Sequence, residues 1–237
     1  MIGSRLAYTL AMVAAVVVSG VLVRARTKES SLTNLQRLVI SLCGFIGAVF
    51  FAKLPFLFDG ALRHGVWLTW FADGKTILWG LVGGYAGVEL GKYALMVQTR
   101  TGDDYVVPVA VAIGIGRVGC FLYGCCYGVV TGAPWAMSFA GAPDGGLSHR
   151  HPTQLYELCF HFGFALLAAT AIDRGVGRTL WMMIYLIAYA AFRFFTEWLR
   201  DEPVMWLGLT FYQWSSVFIE MLFTFLLIRR IRESRLA

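Results

Sequence analysis

Charged side chains occur within strongly apolar segments of this sequence, and one of them is well suited to binding phosphate. Arg117 lies in the run Gly116-Arg117-Val118-Gly119. Glycines allow a ligand or a second backbone to approach closely, and a guanidinium group is a permanently charged, planar donor. We therefore predict that Arg117 binds a phosphate group and that Gly116 and Gly119 shape its surroundings.

Helical spacing brings other polar side chains into line with one another. Gln154, Glu157 and His161 are three and four residues apart, so they share one helix face. Three further segments carry similar stripes: Tyr189, Arg193, Glu197 and Arg200; Gln213, Ser216 and Glu220; Tyr85, Glu89, Lys92 and Met96. Four polar stripes on apolar helices predict one shared interior. The alternative is a set of ion pairs that only stabilise the helices, especially Glu89 with Lys92.

Three cysteines form a cluster at positions 120, 125 and 126. They could be small apolar residues at a crowded turn, or Cys120 could form a disulfide with Cys125 or Cys126. A third interpretation is a reactive thiolate, favoured by the arginine one turn before Cys120, that acts as a covalent nucleophile. A fourth is a soft metal site completed by His149 or His151, although paired CxxC spacing is absent. All four remain open.

Composition indicates that these residues lie in a membrane. Of the 237 residues, 58% are hydrophobic and 14% are charged, and the mean hydropathy is +0.67. Those values exclude a soluble cytoplasmic enzyme, a disordered chain and, with five cysteines, a disulfide-rich secreted miniprotein. Seven segments are long and apolar enough to span a bilayer, at about 6–23, 38–58, 76–97, 105–123, 154–173, 178–198 and 209–229. We predict an all-α, polytopic integral membrane protein with a single domain over residues 1–237 and a central cavity.

The distribution of basic residues predicts the orientation. If the spans alternate, one side receives Arg24, Arg26, Lys28, Arg37, Arg100, Arg174, Arg178, Arg229, Arg230, Arg232 and Arg235, and the other receives Arg5, Arg63, Lys75, Arg150 and Arg200. The basic side is the cytoplasmic one, so the N-terminus is expected outside and the C-terminus inside. The net charge of +6 then reflects topology and contact with anionic lipid, and no nucleic-acid signature accompanies it.

The same orientation places the glycine-rich segment 124–153 on the outer face. Irregular backbone near a bilayer must pack on protein or line a wet cavity, which predicts a cavity that opens outward. Ionisable groups within membrane spans are costly to bury and mark functional sites. The phosphate expected at Arg117 is therefore that of a lipid headgroup.

Together these residues resemble the prolipoprotein diacylglyceryl transferase family. The resemblance rests on Gly116-Arg117-Val118-Gly119 with Phe121, Gly124 and Gly128, on Arg150-His151-Pro152-Thr153-Gln154-Leu155-Tyr156-Glu157, on Arg193-Phe194 with Glu197 and Arg200, and on Thr210 with Gln213 and Ser215 or Ser216. It implies transfer of the diacylglyceryl group of phosphatidylglycerol to the thiol of a lipobox cysteine in a lipoprotein precursor. Glycerol phosphate would be released at the outer face of a bacterial inner membrane.

The resemblance also implies roles for individual residues. Arg117 and Arg193 would hold the headgroup, where fixed guanidinium groups stabilise the charge on the departing phosphate, and Glu197 would orient Arg193 or Arg200. Gln154, Tyr156 and Glu157 would support the outer wall of the cavity. His151 and Glu157 would anchor the glycine-rich segment 124–153, which we call the outer segment. No cofactor is implied, because no nucleotide-binding or phosphate-loop motif occurs.

The sequence departs from the family pattern where chemistry is expected. Val82 replaces the histidine before Gly83-Gly84 that would deprotonate the acceptor thiol, and Cys120, Tyr123 and Cys125 replace two asparagines and a glutamate. Asp73 and Lys75, which open the third span, could act as base and phosphate ligand, or could simply begin an interfacial helix. Two alternatives follow: a transferase with another acceptor that uses a cysteine-bound intermediate, and a non-catalytic lipid- or metal-binding protein.

Overall fold

The computed structural model describes residues 2–27, 32–64, 76–177 and 179–236. Seven α-helices occur in these ranges: α1 (Ile2–Arg26), α2 (Asn34–His64), α3 (Ile77–Ala94), α4 (Gly102–Tyr123), α5 (Thr153–Asp173), α6 (Trp181–Thr196) and α7 (Phe211–Leu236). Two 3-10 turns follow α6, at Glu197–Leu199 and Trp206–Gly208. The seven helices coincide with the seven predicted segments, which confirms the all-α prediction.

Six of the described helices are long and apolar enough to cross a membrane, namely α1, α2 and α4 to α7. The chain is therefore a multi-pass membrane protein, as predicted. The third predicted segment is helical but is not one of the six. Its helix, α3, carries the ion pair between Lys92 Nζ and Glu89, 2.9 Å apart, and the Glu89 side chain is about half exposed. This polar stripe is thus satisfied within its own helix, the alternative that its spacing allowed.

The chain forms two compact units, residues 30–100 and residues 1–29 with 101–237. In the first unit, α2 and α3 touch through glycines. A side chain at Gly83 would collide with the carbonyl oxygen of Gly47, and one at Gly87 would collide with the carbonyl oxygen of Cys43. Small residues let apolar helices bring their backbones into contact. The prediction of a single domain over the whole chain stays a prediction.

In the second unit, α4 contacts both α1 and α6. Gly119 faces Ala11 of α1, with 3.0 Å between the Ala11 methyl group and the position of an added Cβ. At the other end of α4, the Asp103 carboxylate accepts backbone N–H bonds from Thr179 at 2.5 Å and Trp181 at 3.2 Å. These bonds satisfy free donors at the start of α6 and set α6 beside α4.

The segment between α4 and α5 is irregular, as predicted, and backbone hydrogen bonds hold it near both ends. Its only described strands, β1 (Met137–Ser138) and β2 (His149–Arg150), pair antiparallel. Gly128 donates its N–H to the His151 carbonyl at 2.8 Å, and Val129 donates to the Leu199 carbonyl at 2.8 Å. A Cβ at Gly128 would collide with that Leu199 carbonyl oxygen. Only glycine therefore allows this segment to pack against the end of α6.

Candidate functional site

A cluster of buried charges joins α4, α5 and α6, and Glu157 is its centre. Glu157, 1% exposed, pairs with Arg193 Nη1 at 3.1 Å and with Arg200 Nη1 at 3.4 Å. Its other oxygen pairs with Arg117 Nη2 and accepts the Tyr189 hydroxyl at 2.8 Å. Three arginines from two helices and the turn after α6 thus converge on one carboxylate, which we call the arginine network.

Glu197 is the second carboxylate of the arginine network. It accepts from Arg193 Nη2 at 2.6 Å, so Arg193 is held between two carboxylates by separate arms of its guanidinium. The Thr210 hydroxyl donates to the other Glu197 oxygen at 3.3 Å. This geometry is the one expected of a residue that orients Arg193. Glu157, which we expected to support the outer wall and to anchor the outer segment, pairs with three arginines, whereas Glu197 pairs with one.

Gln213 reaches the arginine network indirectly, by fixing Thr210. The Gln213 side chain accepts the Thr210 N–H at 2.9 Å, and the Thr210 hydroxyl accepts the Gln213 N–H at 3.2 Å. This reciprocal pair is a capping box at the start of α7. The structure therefore gives Gln213 a positioning role, whereas we expected it to bind substrate.

The hydrogen-bonded network has an uneven charge balance. It contains three guanidinium groups and two carboxylates: Arg117, Arg193, Arg200, Glu157 and Glu197. Buried charges need compensation, and one positive charge in this group has no anionic partner among its members. The Nε atom of Arg117 is also buried without a hydrogen-bond partner. This excess of positive charge within the network favours binding of an anion beside it.

Below Glu157 on α5, the predicted polar stripe continues. Gln154, Glu157 and His161 are all at most 1% exposed, which confirms their shared buried face. The His161 ring nitrogen Nδ1 lies 2.8 Å from the Tyr185 hydroxyl. Sequence reasoning missed Tyr185, although it lies four residues before Tyr189 and extends the same face of α6.

The outer segment is tied to the start of α5 by aromatic side chains. The Tyr156 hydroxyl lies 3.0 Å from His151 Nδ1 and accepts the Trp135 indole N–H at 2.7 Å. Tyr156 and His151 thus hold this segment in place, in line with the wall and anchor roles expected of them. Trp135 was not anticipated.

An ion pair fixes the tip of the outer segment. Asp144 pairs with Arg150 at 3.3 Å and accepts the Gly146 N–H at 3.1 Å. Hydrogen bonds from the Ser148 hydroxyl and from Gly146, and then the charge of Arg150, lower the pKa of Asp144 to about 2.

The cysteine cluster is assembled by the end of α4. Gly124 has a φ of 77°, and its N–H bonds the Phe121 carbonyl at 3.1 Å while the Cys125 N–H bonds the Cys120 carbonyl at 3.1 Å. These two bonds form a Schellman motif, in which the residues at the positions of Cys120 and Cys125 contact each other. Cys126, with a φ of 63°, turns its thiol back toward them. The three sulfur atoms lie within 4.8 Å of one another.

All five cysteines are free, so the structure does not contain the disulfide considered from the sequence. Hydrogen bonding with the thiols of Cys120 and Cys125 lowers the pKa of Cys126, burial opposes this effect, and the charges of Arg117 and Arg200 lower the pKa further. The same interactions raise the pKa of Cys125. If one cysteine of the cluster is a thiolate, the surroundings favour Cys126. Neither His149 nor His151 joins the cluster among the described residues.

Other predicted site residues lie elsewhere. Gly116 and Gly119 face Met12 and Ala11 of α1, so both allow close helix packing, one of the two uses expected of them; their part in binding a ligand stays a prediction. Asp73 and Lys75 lie outside the described residues.

Comparison with known proteins shows the family of the chain. The sequence profile described as prolipoprotein diacylglyceryl transferase matches residues 5–229. The phosphatidylglycerol–prolipoprotein diacylglyceryl transferase of Clostridium tetani is 31% identical over 190 residues, which cover 77% of this chain and 76% of the relative. The corresponding protein of Photobacterium profundum is 35% identical over 196 residues, covering 81% and 70%. Every part of the arginine network lies within the matched range, and the chain belongs to the prolipoprotein diacylglyceryl transferase family of membrane transferases.

Proposed function

We propose that this enzyme transfers the diacylglyceryl group of phosphatidylglycerol to the cysteine thiol of a lipoprotein precursor. One observation carries the proposal: the buried arginine network has an unbalanced positive charge. The phosphodiester of phosphatidylglycerol carries one negative charge, which guanidinium groups bind. The relatives from Clostridium tetani and Photobacterium profundum are named for the same donor and acceptor.

The chemistry follows from where charge develops. The acceptor sulfur attacks carbon 3 of the diacylglyceryl group, the carbon–oxygen bond to phosphate breaks, and the electron pair leaves with glycerol phosphate. The departing group changes from a diester to a monoester and gains negative charge. Guanidinium groups already fixed in a site of low dielectric stabilise that charge without reorganising. Glu157 and Glu197 hold Arg193 in place for this task.

The acceptor thiol must lose its proton before or during attack. Val82 cannot accept that proton, because its side chain is aliphatic. Asp73 is one candidate for this base from the sequence. If Asp73→Asn kept full activity, the proton acceptor would have to be another group.

We also propose an inner-membrane location with the N-terminus outside and the C-terminus in the cytoplasm. The support is the excess of Lys and Arg on the side of the C-terminus. A fluorescent protein that matures only in the cytoplasm should fluoresce when fused after residue 237. An alkaline phosphatase fusion at the same point should be inactive, and activity there would reverse the orientation.

The test uses purified protein in phosphatidylglycerol nanodiscs with a lipobox peptide. We expect glycerol phosphate release and a diacylglyceryl mass on the peptide, and neither with a peptide in which serine replaces cysteine. Arg193→Ala should abolish both signals, whereas Arg229→Ala, at an exposed helix end, should leave them unchanged. A diacylglyceryl mass on the enzyme instead, lost with Cys126→Ser, would establish the alternative of a cysteine-bound intermediate. Binding of phosphatidylglycerol without any transfer would instead support the alternative of a non-catalytic lipid-binding protein.

A further inference from the structure

The cysteine cluster has the dimensions of a metal site. The Sγ atoms of Cys125 and Cys126 are 3.6 Å apart, and all three sulfurs lie within 4.8 Å of one another. Zinc binds thiolate sulfur at about 2.3 Å in tetrahedral geometry, which separates two sulfurs by about 3.8 Å. A zinc ion therefore fits among the three sulfurs with only small changes of side-chain torsion.

We infer that Cys120, Cys125 and Cys126 bind a zinc ion and leave its fourth position open. Among the described residues, no histidine, aspartate or glutamate joins the three thiols. Structural zinc sites are closed by four protein ligands, whereas catalytic sites keep three and an exchangeable position. The cluster thus belongs to the second kind.

The backbone that carries these ligands is held rigidly. The Gln154 amide donates to the Cys125 carbonyl at 2.5 Å, and the Thr153 hydroxyl donates to the Cys126 carbonyl at 2.5 Å. Cys120 is fixed by the Schellman motif at the end of α4. Groups that orient the ligands of a metal are part of the design of a metal site, and here the first turn of α5 supplies them.

The charge of the surroundings suits an occupied site. Zinc with three thiolates carries one negative charge. Arg117 and Arg200 are both close enough to the Cys126 thiol to interact with it electrostatically. The same two arginines belong to the arginine network, so the metal would lie beside the proposed phosphate site.

The open position gives the metal a role that rests on the proposed function. A zinc-bound hydroxide would take the proton of the acceptor thiol and leave as water, and the acceptor sulfur would occupy the vacated position as thiolate. That sulfur would then attack carbon 3 of the diacylglyceryl group, and glycerol phosphate would leave with the electron pair of the broken bond. The thioether product is a neutral, weaker ligand, so water would replace it and release one proton to the solvent, which regenerates the hydroxide. The zinc site would therefore deprotonate the acceptor thiol, which the aliphatic side chain of Val82 cannot do.

Metal binding is tested first, without reference to activity. Protein purified under reducing conditions is equilibrated with zinc, and metal per chain is measured by mass spectrometry. We expect one zinc per chain, lost in Cys120→Ser, Cys125→Ser and Cys126→Ser. Cys159→Ser, an exposed cysteine of α5 outside the cluster, should retain it. Gln154→Ala should weaken zinc binding by about tenfold.

The open position is tested with cobalt in place of zinc. The reduced wild-type protein should show sulfur-to-cobalt charge-transfer bands and the visible bands of tetrahedral cobalt. A lipobox peptide should shift these bands, and the same peptide with serine in place of cysteine should not. Wild-type protein serves throughout this measurement, so it does not depend on the folding of any cysteine variant.

The outcomes separate the two proposals. No zinc in reduced wild-type protein, or equal zinc in the three cluster variants, would overturn the metal site. Full transfer by zinc-free protein would overturn its role and leave the proposed function intact. Zinc binding with a thiol-dependent cobalt shift, but no modified peptide, would support the site and refute the diacylglyceryl transfer.

Discussion

Replacing Glu157 by glutamine should destabilise the protein more than any other change of a single charge in the arginine network. Glutamine has nearly the same shape but no charge, so Arg117 and Arg193 would stay buried without the anion they share. Removing one partner of a buried ion pair destabilises a protein by roughly 3–5 kcal/mol. We place Glu157→Gln in that range, because both remaining guanidinium groups are at least nine-tenths buried.

The assay is reversible unfolding in mixed micelles of increasing SDS fraction, followed by tryptophan fluorescence. The matched control is Glu89→Gln, which removes the carboxylate from the half-exposed pair with Lys92. Exposed pairs contribute about 0–1 kcal/mol, so this variant should unfold close to wild type. Adding Arg117→Met to Glu157→Gln should restore part of the lost stability, because it removes a buried positive charge that has lost its anionic partner.

Two results would refute this reasoning. If Glu157→Gln unfolded within about 0.5 kcal/mol of wild type, Glu157 would not compensate the arginines. If Arg117→Met lowered the stability of the Glu157→Gln variant as much as it lowers the stability of the wild-type protein, the two residues would act independently.

Three further predictions follow from the same contacts. Arg193→Lys should reduce glycerol phosphate release by about 100-fold or more, because an ammonium group cannot bridge Glu157 and Glu197 as a fork; Arg229→Lys, whose partner Glu233 is exposed, should not. Gly128→Ala should lower stability by roughly 1–3 kcal/mol in the same unfolding assay, because its methyl group would meet the Leu199 carbonyl oxygen; Gly132→Ala, with nothing within 4 Å, should have no effect, and equal behaviour of the two would contradict the packing. The carboxylate of Asp144 has a folded pKa of about 2, below its ordinary 3.8, so it stabilises the outer segment above about pH 4 and stops doing so as the pH falls to about 2. Asp144→Asn should therefore melt earlier than wild type at pH 5 and match it near pH 2; a constant difference would assign the effect to another group.

The positions of the helices were predictable, because each helix coincides with a long apolar segment of the sequence. Each of the seven apolar segments became a helix, and α3, which carries the Glu89–Lys92 pair and five glycines, is not among the six that are long and apolar enough to cross a membrane. The buried face of α5 was also predictable, since Gln154, Glu157 and His161 recur with the helical period. Spacing identifies a face but not a partner, and for that reason the bond from His161 to Tyr185 was missed.

Glycine roles were the least predictable feature of the site. Gly116 and Gly119 flank the arginine in sequence, yet consecutive residues of a helix point about 100° apart, so flanking residues do not share its environment. They pack on α1. Gly124 and Gly128, in contrast, act through backbone conformation and close approach, and each determines where a neighbouring functional group lies.

The cysteine cluster could have been foreseen from one local rule. A glycine that ends a helix in the left-handed conformation brings together the residues four before it and one after it, and Cys120 and Cys125 occupy those positions around Gly124. In the family pattern these positions hold an asparagine and a glutamate, while Val82 occupies the place of a histidine. If the cluster activates the acceptor thiol, as inferred above, its three thiols beside Arg117 perform the deprotonation that the resemblance assigns to a histidine at the position of Val82.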